Sequence, residues 1–365
     1  MFTRIKWIVS IFIMAVMIQP ALSTVAAAQN DREKKLIEGA KKEGQLVLWH
    51  IGPLKKKIVL KPFTAKYPFI KVKTWRSRGS EILTKALEEA TAGKHTTDLT
   101  LLGRVESIAL LNAGVLGNYE WPNTKGWLNQ PKHGSYRGIV AGGRVPVFNS
   151  KILPKEDWPT SWDDLKNPKY RGKAILSASA PDGPLYTAYL WRKKNGELDW
   201  ERSFAFWKEL FKALKPRVGR GFSGPTELVA SGTVSIMPWG STNAGLRAIW
   251  KGASLKFAPV GTILVGNQNL AIMKDAPHPN AARLFADYIS SKEGLVPYAN
   301  SRAMIVNSPE LGKLTRANKE MTAMGFKIEQ VPLEMFTTEN IKKASSFWFK
   351  ELGIKKGRKG RRKRR

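Results

Sequence analysis

The sequence predicts an α/β fold in two domains, on three observations. Short apolar strands alternate with helix-like stretches from Gln45 to Asn112. A second β-α series begins at "GKAILS" (Gly172–Ser177). The 365 residues, less an expected leader of 28, leave 337, which suits two cores of about 150 residues each.

The first series reads in order. Asp31–Lys42 is a polar helix stopped by Gly44, and "QLVLWH" (Gln45–His50) is a strand. "LKKKIVLKPFTAKYP" is an amphipathic helix with an irregularity at Pro62, and "FIKVKTW" (Phe69–Trp75) alternates as a strand does. Gly79–Ala92 is a helix, "DLTLL" (Asp98–Leu102) a strand, and Val105–Asn112 a helix closed by Gly114. Such β-α alternation implies a largely parallel sheet with helices on both faces. After a loose stretch from Glu120, "GIVAGGRVPVFNS" (Gly138–Ser150) is extended. The second series has helices at Leu185–Lys194, Asp199–Ala213, Pro225–Ala230 and Thr242–Trp250 around the strand "TVSIMPW". "SLKFAPV" and "NLAIM" are further strands, and the last third, from His278, is helical.

The two ends point different ways. Arg4 and Lys6 precede an apolar run, Trp7–Ile18, which is shorter than the roughly 20 residues a bilayer span needs. Ala26-Ala27-Ala28 offers a cleavage site, so residues 1–28 read as an export signal for the general secretory route. The absence of cysteine leaves no lipid anchor and no disulfide, and the periplasm is the expected compartment. The other end, "KKGRKGRRKRR", carries nine Lys or Arg in eleven residues, the usual footprint of nucleic-acid binding. Export removes that prospect, so no specific nucleic acid is expected. The tail, residues 353–365, is expected to be disordered and to make at most a weak contact with an anionic membrane surface. The body is basic without either end, since losing Arg4, Lys6 and the nine tail cations takes the net charge from +32 to +21.

Catalytic motifs are sparse. GxSxG, SxxK and HExxH are absent, and His50, His95, His133 and His278 are not paired at metal-ligand spacing. No metal, cofactor or catalytic residue is therefore expected, although a triad assembled from distant segments stays open. "GRGFSG" satisfies GxGxxG at Gly219, Gly221 and Gly224, but no long strand precedes it and Ala244 stands where a dinucleotide site needs an acid. Ser223 and Gly224 do precede Pro225 at a helix start, where free N–H groups can hold an anion. Arginines gather at strand ends: Arg76, Arg78 and nearby Ser80 after the second strand, Arg104 after the third. Ligands of open α/β sheets bind beyond those ends, and guanidinium forks suit carboxylate or phosphonate. Trp49-His50 and Trp239, followed by Ser241 and Thr242, also close strands, as a stacking wall or as core.

Several stretches resemble one family in order. They are "EGQLVLWHIG", "FTAKYPFIKVKTWRSRGSEILTKALEEATAGKHTTDLTLL", "SWDDLKNPKYRGKAILS" and "NLAIMKDAPHPNAARLFADYISSKEG". The chain resembles bacterial extracellular solute-binding proteins, in the branch with ferric-iron binders of ABC importers. The resemblance implies a two-lobe periplasmic-binding-protein fold of type II, each lobe a mixed, mostly parallel sheet flanked by helices, joined by hinge strands. It implies a first lobe of residues 29–142 and 264–352 and a second of 143–263. It further implies a monomer that captures a small solute by hinge closure and delivers it to a membrane permease, and no enzyme. The loops it aligns with ligand sites hold His50 and Gly52; Arg78, Gly79 and Ser80; Arg104; Ser179, Asp182 and Gly183; Ser223 and Gly224; and Trp239, Ser241, Thr242 and Asn243. Ferric binders of the branch carry a Tyr-Tyr pair where this chain has "MPWGSTN", and no tyrosine lies between Tyr189 and Tyr288. A small organic anion is therefore the expected ligand. Ferric iron or a ferric chelate, a polyamine, and an exported enzyme of small molecules are the alternatives.

Overall fold

The computed structural model describes residues 31–52, 54–122, 127 and 134–354. The expected export signal, the turn at Pro53 and the basic run from Lys355 lie outside the described residues. The first series forms as read. A helix over residues 31–43, α1, leads into β1 (Gln45–His50), α2 (Leu60–Lys66), β2 (Lys71–Arg76), α3 (Gly79–Thr91), β3 (Leu99–Gly103) and α4 (Arg104–Asn112). β1 pairs in parallel with β2 and with β3, so all three strands end on one rim. The expected helix from Leu54 shortens to α2. Its Pro62 sits in the first turn, where the missing N–H would have no intrahelical acceptor.

Beyond the loose stretch the chain runs through β4 (Tyr136–Asn149), β5 (Ile175–Ser177), α5 (Gly183–Leu190), α6 (Trp200–Leu214), β6 (Arg217–Gly219), α7 (Ser223–Ala230), β7 (Ile236–Ser241), α8 (Thr242–Ile249), β8 (Leu255–Phe257) and β9 (Thr262–Ile272). Then come α9 (Pro279–Ser290), α10 (Lys292–Arg302), β10 (Ile305–Val306), α11 (Pro309–Gly312), α12 (Arg316–Ala323), β11 (Lys327–Gln330) and α13 (Thr338–Ser346).

The large sheet has the order β10-β4-β9-β3-β1-β2, with β11 on β9 and both β7 and β8 on β4. The sheet is mixed, as the two-lobe fold implies. β4 and β9 are antiparallel to each other, and β3 is antiparallel to β9. The reason is topological: β4 carries the chain out of the first lobe and β9 brings it back. Parallel pairing is confined to β1–β2, β1–β3, β9–β11 and the separate pair β5–β6.

Separate cores lie on the two sides of this crossing. One gathers Leu46, Leu48, Phe63, Leu99, Leu270, Phe285 and Tyr298. The other gathers Tyr170, Tyr186, Trp207, Trp239 and Trp348. Within residues 264–352, expected as part of the first lobe, α9 and α10 pack in the first core, and Val331, Phe336, Ala344, Phe347 and Trp348 pack in the second. The cause is the aromatic run Phe347–Phe349 and its partners on α6. Trp348 meets Trp207 edge-on at 5.0 Å, and Phe347 stacks on Phe204 at 4.0 Å.

Trp348 is fully buried, so Trp348→Ala removes a large side chain from a filled core. Urea unfolding of that variant is expected to show a loss of about 3–5 kcal/mol. A loss below about 1 kcal/mol would mean that the C-terminal segment does not belong to the second core.

Candidate functional site

A cleft of about 830 Å³ opens between the two cores. Ile51, beyond β1, and Gly103–Glu106, where β3 turns into α4, form one wall. Arg144, Ser179, Asp182, Tyr186, Phe222, Ser223, Ser241, Asn243 and Arg247 form the other. Gly142 of β4 and Gly266–Gln268 of β9 lie at the crossing, and Ser301–Arg302, at the end of α10, and Phe336 belong to the lining as well.

Four helices begin on this lining: α4 at Arg104, α5 at Gly183, α7 at Ser223 and α8 at Thr242. None has its first turn capped by a side chain. Their free N–H groups and partial positive charges therefore remain available to an anion. The side chains have the same bias. Lys55, Arg104, Arg144, Arg247 and Arg302 face the carboxylates of Glu106 and Asp182 only.

Arg104 is the most constrained of these. It is 5 % exposed. Its Nη1 donates to the Val331 carbonyl, and its guanidinium lies 4.8 Å from the Phe336 ring. Nε and Nη2, the two donors on one edge of the fork, have no partner among the described residues. Burial pulls its pKa down, yet a guanidinium stays charged at any ordinary pH. Arg144 rests on the Phe222 ring at 4.2 Å and reaches Asp182 Oδ2 at 3.7 Å, leaving Asp182 Oδ1 without a partner. Arg247 donates to the Arg302 carbonyl at 3.1 Å and to Ser223 Oγ at 3.4 Å. Sequence reasoning missed Arg144, Arg247 and Arg302.

The expected residues divide by position. Arg104, Ser179, Asp182, Ser223, Ser241 and Asn243 line the cleft. Gly224 follows Ser223 at the start of α7, with open space where a side chain would stand. Thr242 is buried behind the lining and ties α8 to β4, accepting from Gly143 N at 2.9 Å. His50 and Gly52 back the wall: His50 Nδ1 and the Gly52 carbonyl are 3.0 Å apart, and a Cβ at Gly52 would stand 3.2 Å from the Arg302 guanidinium. Arg76 and Ser80 are exposed and outside the lining, and Arg78 is paired with Glu81 on the surface beside Gly79. Gly183 is packed under Trp207 and Trp239. Trp239 belongs to the core, 1 % exposed, with Trp162 and Trp207 each 5.5 Å away. Of the two positions open to it, a stacking wall or core, it takes the second, because the inward face of β7 carries its ring into the second core.

The fold and the cleft define a two-lobed binding protein whose site favours negative charge. The sequence pattern of the bacterial extracellular solute-binding protein family matches residues 51–295, and the chain belongs to that family. No curated protein matches it. Solved structures share the fold at low identity. Iron-bound HitA from Pseudomonas aeruginosa aligns with a TM-score of 0.69 at 18 % identity, over 85 % of this chain and 99 % of that one. The substrate-binding protein of an ABC transporter from Agrobacterium tumefaciens gives 0.69 at 17 %, over 84 % and 95 %. AfuA from Actinobacillus pleuropneumoniae, bound to fructose-6-phosphate, gives 0.66 at 19 %, over 85 % and 99 %.

His50 yields a pH prediction. Burial lowers its pKa from the ordinary 6.5, and the charges of Arg76 and Arg302 add to the shift. The unfolded chain then binds a proton more readily than the folded one. Stability is fully present above pH 6.5 and falls as the pH drops below it, levelling off once the folded His50 itself protonates. Urea midpoints between pH 7.5 and 5 are expected to fall less in His50→Gln than in the parent; parallel curves would contradict this.

Proposed function

We propose that this protein is the substrate-binding component of an ABC-type importer, working in the periplasm. It captures a small organic anion in the interlobe cleft and presents it to a membrane permease. The unpaired Nε–Nη2 edge of buried Arg104 carries this reading. A buried charge without a counterion costs several kcal/mol, and an anionic ligand would remove most of that cost. We place the first lobe at residues 29–142 with the return through α9 and α10. The second lobe is 143–263 together with the segment from Val331. Closure about β4 and β9 gives the ligand contacts from both walls at once, so ligand shifts the population toward the closed form.

Among the similar structures, HitA is bound to iron and AfuA to fructose-6-phosphate. The arginines here favour an organic anion. Tyr186 is the one phenol on the lining among the described residues, and burial pushes its pKa up, away from the phenolate that ferric iron prefers.

A thermal-shift panel of small acids, amines, neutral sugars and ferric salts tests the proposal. An acid present at 100 times its Kd is expected to stabilise by about 2.7 kcal/mol. Arg104→Gln, which keeps the side chain polar but uncharged, is expected to weaken that acid by about 10- to 100-fold. Stabilisation by amines or neutral sugars alone would contradict the reading, and turnover of the bound acid would indicate an enzyme.

A further inference from the structure

We infer that the ligand carries two separate acidic groups, one held by Arg104 and the other by a second anion subsite formed by Arg247, Arg302 and Ser223. The inference rests on the anion reading above and narrows it from any organic anion to a two-ended one, such as a dicarboxylate or a phosphorylated carboxylic acid.

The two arginine groups have different surroundings. Arg104 is fixed by Val331 and Phe336, and its charge acts on Tyr136 and Tyr186. Arg144 also acts on Tyr186, so it belongs with that end. Arg247 is fixed by the Arg302 carbonyl and Ser223 Oγ, and Arg302 lies against Tyr298. These partners differ between the two ends, and both ends line one cleft.

The second end has the features of a built anion site. Two guanidiniums sit close enough for the Arg302 charge to lower the pKa of Arg247, after the larger effect of burial. Arg247 makes no ion pair among the described residues, where the other end has Asp182 3.7 Å from Arg144. Arg302 is buried and Arg247 half-buried; like charges held near one another repel, and an anion between them turns that repulsion into attraction. Ser223 opens α7, whose first turn no side chain caps, so its N–H groups add to the same field. The open space at Gly224 lets a ligand approach that backbone. Both ends line the same cleft of about 830 Å³.

Calorimetry on the full mature chain tests this with matched pairs. The probes are succinate, glutarate, adipate and 3-phosphoglycerate, against butyrate, valerate, hexanoate and glycerate, with inorganic phosphate alone for comparison. At least one two-ended acid is expected to bind about 10- to 100-fold tighter than its one-ended match. Arg247→Gln should cost the two-ended acid about 10-fold more than its one-ended match, because Arg104 still holds the latter. Arg104→Gln should weaken both members of the pair. A urea midpoint unchanged in Arg247→Gln shows that the loss is not misfolding, and Arg302→Gln repeats the test should that variant prove unstable. Equal binding of both members of every pair, or equal losses for both in Arg247→Gln, overturns the two-ended ligand and leaves the anion reading standing. Binding of inorganic phosphate alone overturns it as well. Binding of no acid of any kind overturns both.

Discussion

The antiparallel ladder between β4 and β9 is the constraint on which the rest depends. It runs from Tyr136 opposite Ala271 to Arg144 opposite Leu264. The end of β4 nearer Tyr136 lies in the sheet beside β9 and β3, and the other end pairs with β7 and β8. Everything that lines the cleft is positioned relative to this pair. Backbone must approach closely there, which is why the sequence reads "AGGRV" against "LVGNQ". Gly142 faces Gly266 across the ladder, and a side chain on Gly266 would collide with the Tyr186 hydroxyl. The chain passes between the lobes on β4, on β9 and again near Val331, and the closure proposed above would bend these few segments by small changes in a few dihedrals.

The electrostatics of the cleft follow from the same topology. β-α units place helix starts just beyond strand ends, so β3 delivers α4 to the lining and β7 delivers α8. Their partial charges add to arginines that lie on or beside the same elements. On the reading proposed above, such a site is expensive when empty and becomes favourable when an anion fills it. This asymmetry makes a binding protein selective for charge before any finer recognition begins.

Much of the fold was legible in the sequence because strand and helix periods are local properties. β1 to α4 needed only the alternation of apolar residues and the glycines that end helices. Strand direction at the crossing was not legible, since it depends on which lobe a strand leaves and which it enters. The packing of the C-terminal segment was not legible for a similar reason: Phe347 and Trp348 look like any amphipathic stretch until Phe204 and Trp207 are seen beside them.

Site residues divide in the same way. Arg104, Ser223, Ser241 and Asn243 stand at strand ends or helix starts, where a rule exists to find them. Arg247 follows Asn243 by four residues on α8, one turn along the same face, and that spacing could have revealed it. Arg144 and Arg302 reach the cleft only through tertiary packing. Trp239 shows the converse, since β7 ends on the cleft but turns this ring inward. Native mass spectrometry of the protein isolated from its periplasm tests the central claim most directly. The account predicts one acidic small molecule per chain, released unchanged on denaturation and absent from Arg104→Gln; a bound cation, a neutral solute or a bare metal ion would contradict it.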